Sequence, residues 1–274
     1  MKVAGVILAG GQATRMGGGD KCLRPLGGQP ILQIVVDRLG PQVTEIVLNA
    51  NGDPARFANF GLPVVADETG EFLGPLAGLL AAMDWARGAG VSHLLSVAGD
   101  TPFFPTDLGS QLARACGDGA ALQAIAQSRD EDGTTHRQPT FGLWDVALAD
   151  DLRAFLAAGD RKIILWARRH TLATPVVGPS SAFFNINTPA DLDAAQAMAG
   201  EARGRFSASL GGRIRARPRW LNGWWQSSPG AGWRCPPSNM RTIPLTWTTP
   251  VGTATDTEWQ ARGKFCCPAA SAGR

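Results

Sequence analysis

No run of apolar residues approaches the roughly 18 that a membrane-spanning helix needs. The first residues, Met1-Lys2-Val3-Ala4-Gly5-Val6, lack the shape of a secretory signal and read as the start of a strand. The expected location is therefore the cytoplasm. Cysteine is scarce: Cys22, Cys116, Cys235, Cys266 and Cys267 form no CxxC pair and no zinc spacing. Reduced thiols are expected. Histidine is scarcer still. His93, His136 and His170 are scattered, without a partner at catalytic spacing, and read as structural or surface residues. GxSxG, HExxH and any Cys/His pairing are missing as well, which removes the common hydrolase chemistries.

What is present is a chain of 274 residues, 44% hydrophobic, enough for one large domain or two small ones with a sizeable core. Its net charge of +3 hides an asymmetry. Residues 1–200 hold 15 Lys and Arg against 20 Asp and Glu, whereas residues 201–274 hold 11 against 3. Six of the nine tryptophans also fall in the last 74 residues. We place the domain boundary there: 1–199 as the folded domain, 200–274 as a basic, tryptophan-rich tail. The tail shows neither helical nor strand period and reads as irregular, or as sequence beyond a natural last helix over Pro189–Ala199. A basic, aromatic arm for nucleic acid is the functional alternative. Basic tails without a folded platform are common, so a nucleic-acid partner is not expected.

The first 200 residues alternate apolar runs with helical patterns. Strands are expected at Val3–Leu8, Thr44–Asn49, Pro63–Ala66, His93–Ala98, Ala120–Ala126, Pro139–Val146 and Phe183–Asn187. Helices are expected at Ile31–Leu39, Pro75–Arg87, Pro105–Ala115, Ala147–Ala158, Arg161–Arg169 and Pro189–Ala199. Pro75, Pro105 and Pro189 each stand where a first helical turn would begin. Continuous apolar strands alternating with helices predict an α/β fold of three layers with a mostly parallel central sheet. Ligands in such sheets bind beyond the carboxyl ends of the strands. The glycine-rich loop after Leu8, Asn49, Asp67 and Asp100 all fall at or just past such ends, so four strands should carry polar groups to one rim.

The segment Leu8-Ala9-Gly10-Gly11-Gln12-Ala13-Thr14-Arg15-Met16-Gly17-Gly18-Gly19-Asp20-Lys21 follows the first strand. Five glycines let backbone N–H groups approach phosphates closely, and Arg15 and Lys21 supply compensating charge. The pattern is not a dinucleotide fingerprint, which opens its helix at once. Nor is it a Walker loop, because Cys22 rather than Ser or Thr follows Lys21. It suits a mononucleotide triphosphate. Asp100, in Ala98-Gly99-Asp100-Thr101-Pro102, is the metal candidate, since Mg²⁺ takes one or two carboxylates plus phosphate oxygens and water. A turn cap is its structural alternative. Asp67 reads as a second acid, a base-reading group or a surface turn. Gly74-Pro75-Leu76-Ala77-Gly78 opens an apolar helix whose free N–H groups face either ligand or solvent.

Taken together, these residues resemble the molybdenum cofactor guanylyltransferases. The resemblance rests on Leu8-Ala9-Gly10-Gly11, Arg15-Met16-Gly17, Asp20-Lys21, Asn49-Ala50-Asn51, Asp67, Gly74–Gly78, Asp100-Thr101-Pro102 and Asn185-Ile186-Asn187-Thr188-Pro189. The stretches Leu152–Leu156 and Gly159–Lys162 continue it, and it covers residues 1 to about 199. Relatives that use cytidine carry Ala-Ala-Gly where this chain has Ala9-Gly10-Gly11. The resemblance implies a Rossmann-like nucleotidyltransferase that moves GMP from GTP to molybdopterin with Mg²⁺ as cofactor. It implies Leu8, Ala9, Gly10 and Gly11 on GTP through backbone, and Lys21 on its phosphates. Asn49 and Asp67 fall in the guanosine pocket, Asp100 on Mg²⁺, and Arg15 on the triphosphate. Gly74, Pro75, Arg137, Pro139, Asn185 and Asn187 fall on the pterin side. Arg15, Lys21 and Asp100 form the expected catalytic set. Partners are then GTP, molybdopterin and, transiently, proteins of cofactor synthesis or molybdoenzyme maturation, for a monomer with no membrane contact. The alternatives are a transferase using CTP or a sugar phosphate, or a nucleotide-binding protein without turnover.

Overall fold

Apolar residues that alternate along a strand bury both faces of a sheet only if helices cover both. The computed structural model, which describes residues 1–10, 20–67, 74–117 and 119–209, has this arrangement. In chain order, strand β1 spans Val3–Leu8 and a short hairpin follows, β2 (Pro25–Leu26) and β3 (Gln29–Pro30). Helix α1 (Ile31–Leu39) leads to β4 (Ile46–Asn49) and β5 (Val64–Val65). Helix α2 (Pro75–Gly88), β6 (His93–Ala98) and α3 (Leu108–Cys116) come next, then β7 (Gln123–Arg129) and β8 (Thr135–Asp145). The described chain finishes with α4 (Ala149–Ala157), α5 (Ile163–Ala167), β9 (Leu172–Ala173), β10 (Val176–Pro179) and α6 (Pro189–Ser209). All of this lies in the first of two compact units, Met1–Arg215; the basic tail beyond Ser209 lies outside the described residues.

Among the described residues one sheet has the order β10-β7-β8-β6-β1-β4-β5, with β9 also on β7. Strands β5, β4, β1 and β6 pair parallel. Strand β8 runs antiparallel to both β6 and β7, and β7 pairs parallel with β9 and β10. The sheet is therefore mostly parallel, as expected, with one reversed strand near its middle. Ile7, Leu48, Leu95 and Val97 point to the face covered by α1 and α3, where Leu32, Val35, Leu108 and Leu112 are buried. Val6, Val47 and Leu94 point the other way, to Leu76, Leu79 and Met83 of α2 and Trp166 of α5. Trp144 of β8 and Trp166 pack with ring centroids 5.5 Å apart.

Three expectations need correction. Phe183–Asn187 is not a strand. Phe183 and Ile186 are buried, which gives the run its strand-like pattern, but its backbone bonds leave the sheet. Ile186 N donates to Asp100 O (3.0 Å) and Asn187 N to the Asp191 carboxylate (2.9 Å). Pro105 does not start a helix. Its carbonyl accepts from Leu108 N in a turn that precedes α3. The last helix continues past Ala199 to Ser209. Strands β9 and β10 were not foreseen, being two and four residues long and paired only at long range.

Candidate active site

Register brings the strand ends level. Leu8 stands opposite Asn49 on one side and Ala98 on the other, and Asn49 stands opposite Val65. Residues just past these positions meet at a cavity of about 450 Å³. Leu8, Gly10, Asn49 and Asp67 form one part of its wall, and Ala98, Asp100, Thr140 and Asn185 another, with Gly74 and Pro75 from the start of α2. Ala9 lies alongside, its N–H bonded to Asn49 O at 2.9 Å. The convergence of four strand ends is thus observed. Gly11 and Arg15 lie outside the described residues.

Asn49 is 3% exposed and points its amide at two acceptors. Its Nδ2 donates to Asp67 Oδ1 at 2.9 Å and to Val65 O at 3.3 Å. Asn51 Nδ2 donates to Asp67 Oδ2 at 2.9 Å, and Asp67 N returns a bond to Asn51 Oδ1 at 2.9 Å. Each carboxylate oxygen of Asp67 therefore has one amide donor and keeps further lone pairs for a ligand. Gly78 of α2 makes this possible: a Cβ there would sit 2.0 Å from Asn49 Oδ1.

Asp100 sits two residues past β6. Burial pushes its carboxyl up from the usual range, and the Lys21 ammonium pulls part of the way back. Thr101 Oγ1 donates to it at 3.3 Å. A carboxylate with one long side-chain hydrogen bond, at a cavity wall, has the donor chemistry for a hard divalent cation. Among the described residues no group of three or more His, Cys, Asp and Glu comes together. Such a cation would therefore take most of its ligands from phosphate and water. Lys21 Nζ donates to Asn187 Oδ1 at 2.7 Å, which holds the cation beside Asp100 and joins the exit of the glycine loop to the Asn185–Asn187 segment. Asn187 is in turn fixed by the Thr188–Asp191 cap of α6. Asp191 accepts from Asn187 N and Thr188 N, and its own N–H donates to Thr188 Oγ1.

The other titratable residues stand apart. Burial, with Asp20 and Asp100 nearby, pushes the Cys22 thiol up to about 12, so it is no nucleophile at neutral pH. His93, His136 and His170 bond to Ser92, Asp130 and Asp151, and none lines the cavity. Arg137 is exposed on β8 and Pro139 precedes Thr140; the cavity lining includes neither.

The family model of the MobA-like NTP transferase domain matches residues 5–172. A molybdenum cofactor guanylyltransferase of Cereibacter sphaeroides is 47% identical over 198 residues, covering 72% of this chain and 97% of the relative. One from a Bradyrhizobium species is 47% identical over 203 residues, covering 72% and 93%. The chain belongs to the molybdenum cofactor guanylyltransferase family. That family is one of nucleotidyltransferases, and this chain is an enzyme of that class. Two solved structures share its fold. A molybdopterin-guanine dinucleotide biosynthesis protein A from Archaeoglobus fulgidus has a TM-score of 0.57 at 22% identity, covering 73% of this chain and all of that one. A 4-diphosphocytidyl-2C-methyl-D-erythritol synthase from Anaerococcus prevotii scores 0.58 at 16%, covering 73% and 98%.

Within this guanylyltransferase framework, three residues have a place at the site to which the sequence assigns no role. Asn51 carried a signal, standing two positions after Asn49 on a strand-end loop. Arg56 carried none. Its guanidinium pairs with Asp20 (2.6 Å), bonds to Asn51 O and to Asp53 O at 2.7 Å, and stacks on Phe57. It ties the residue before Lys21 to the Asn51–Asp67 cluster. Thr140 is the third. No helix among the described residues is long and apolar enough to cross a membrane.

Proposed function

We propose that this enzyme transfers GMP from GTP to the terminal phosphate of molybdopterin and releases pyrophosphate. The observation that carries the reading is the meeting of Asn49, Asp67 and Asp100 at one cavity, in a chain 47% identical to molybdenum cofactor guanylyltransferases. In this reading Asn49 and Asp67 take the guanosine, while backbone around Leu8, Ala9, Gly10 and Gly11 follows the triphosphate. Gly74, Pro75, Asn185 and Asn187 face the pterin, with Arg137 and Pro139 further out.

An acceptor phosphate oxygen attacks the α-phosphorus of GTP. A new P–O bond forms as the bond to the β-phosphate oxygen breaks, and the electron pair leaves with pyrophosphate. The attacking oxygen is already ionised near neutral pH, so no general base is required. That agrees with three histidines placed away from the cavity. The enzyme's own work is positioning and charge stabilisation. Lys21, steered by Asn187, meets the phosphates; Arg15 is assigned to the same charge. Asp100 would hold Mg²⁺, which when bound neutralises charge on the phosphate oxygens.

The test is pyrophosphate release with molybdopterin and each of GTP, CTP and UTP in turn. Turnover with GTP alone is the expected result. A preference for CTP or UTP, or GTP binding without turnover, would contradict the reading.

A further inference from the structure

The pairing of β7 with β8 breaks once. Ile125 stands opposite Gly142, but the next residue, Ala126, stands opposite Gln138. Pro139, Thr140 and Phe141 thus face no residue of β7, and β8 bulges at this point. The bulge is anchored on both flanks. Ser96, 1% exposed on β6, donates to Thr140 O at 2.8 Å and accepts from Gly142 N at 3.2 Å and Trp144 Nε1 at 2.8 Å. Phe141 is buried between Phe104 and Phe183, with ring centroids at 5.8 and 5.0 Å. Gly142 leaves the Trp144 ring its place, since a Cβ there would lie 2.4 Å from it. The backbone of Thr140 is fixed on both sides, and its residue lines the cavity. Its hydroxyl has no hydrogen-bond partner among the described residues.

Position along the rim says what that hydroxyl meets. The Asn49–Asn51–Asp67 cluster belongs to β4 and β5, and Asp100 follows β6. Strand β8 is the next strand beyond β6, so Thr140 lies across Asp100 from the guanosine side. Asn185 is close by, since Ile186 N bonds to Asp100 O. A hydroxyl donor held on a pinned bulge suits a phosphate oxygen, because charge-assisted hydrogen bonds are the stronger kind. We infer that Thr140 binds the phosphate monoester of the acceptor and sets acceptor affinity, leaving the nucleotide alone. The inference rests on the guanylyl-transfer reading above.

The experiment compares T140V, T140A and T140S with the wild type. KM for molybdopterin and kcat come from pyrophosphate release, and Kd for GTP comes from equilibrium titration. Both hydroxyl-free variants should raise the acceptor KM roughly ten- to hundredfold, the range for a hydrogen bond to a charged group. Their Kd for GTP should not change, and T140S should restore the acceptor KM. An unchanged acceptor KM in T140V and T140A overturns the inference, as does a loss of GTP affinity equal to the rise in acceptor KM. Failure of T140S to restore the KM assigns the effect to the methyl group and also overturns it. The wild type separates this from the functional reading: if it never turns over GTP with molybdopterin, that reading falls first. If it does and the variants match it, only the assignment of Thr140 falls.

Discussion

Gly78 has no room for a side chain. A Cβ there would stand 2.0 Å from Asn49 Oδ1 and 2.6 Å from its Cγ, and Asn49 is too buried to swing away freely. Gly78→Ala should therefore expel Asn49 and break its bond to Asp67. GTP affinity should fall roughly tenfold or more, read as Kd by titration. Asn49→Ala should have a similar effect, and the double variant should bind little worse than either single one, because both act through the same contact. Asp100→Ala addresses the chemistry instead. Turnover with Mg²⁺ should drop by about 10²–10³, with the far-ultraviolet spectrum unchanged. Wild-type rates in that variant would remove Asp100 from the phosphate site. At this scale the sequence was informative wherever a polar residue ended an apolar run. Asn49, Asp67 and Asp100 could be picked out because strand ends place them. Arg56 could not, since a cation in a short 3-10 segment carries no sign that its partners will be Asp20 and Asn51.

Helices α4 and α5 meet through one carboxylate. Asp151 of α4 accepts from Trp166 Nε1, Arg169 Nη2 and the His170 ring, all at 2.9 Å. Burial pushes its carboxyl up, but the bonds from His170, Trp166 and Arg169 outweigh that and hold it below the usual range. A carboxylate depressed in the folded state stabilises above its unfolded pKa of about 4, and that contribution fades as pH falls through the lower folded value. Asp151→Asn should therefore melt below the wild type at pH 7. The gap should narrow progressively as the pH of both is taken below about 4. A constant gap across that range would show that shape, not charge, holds the two helices together. Periodicity revealed both helices, with ends displaced by about two residues. It misjudged Phe183–Asn187, where buried Phe183 and Ile186 imitate a strand while the backbone bonds to Asp100 and Asp191. It also missed the bulge at Thr140, because a register shift belongs to the pairing of two strands and leaves no trace in either one.

The described chain closes its own core on both faces of the sheet by Ser209, and the matched family domain ends at residue 172. We propose that a chain ending after Ser209 keeps the full molybdopterin-dependent turnover. Assaying it beside the full-length protein decides the matter, and a lost or altered acceptor KM would give the basic tail a part in the reaction. The shift of charge near residue 200 was legible from composition alone; the path of the sheet was not. Alternating strands and helices announced parallel pairing, yet nothing local announced that β8 would enter reversed between β6 and β7. That reversal has a consequence for change over time. The nucleotide half of the rim hangs on β5, β4, β1 and β6, while Thr140 of the far wall is carried by the β7–β8 hairpin, tied to β6 through Ser96. A lineage could acquire a new acceptor by editing the turn and bulge of β7–β8, with the machinery for handling the triphosphate inherited intact. For an engineer, the same seam is the natural place to graft.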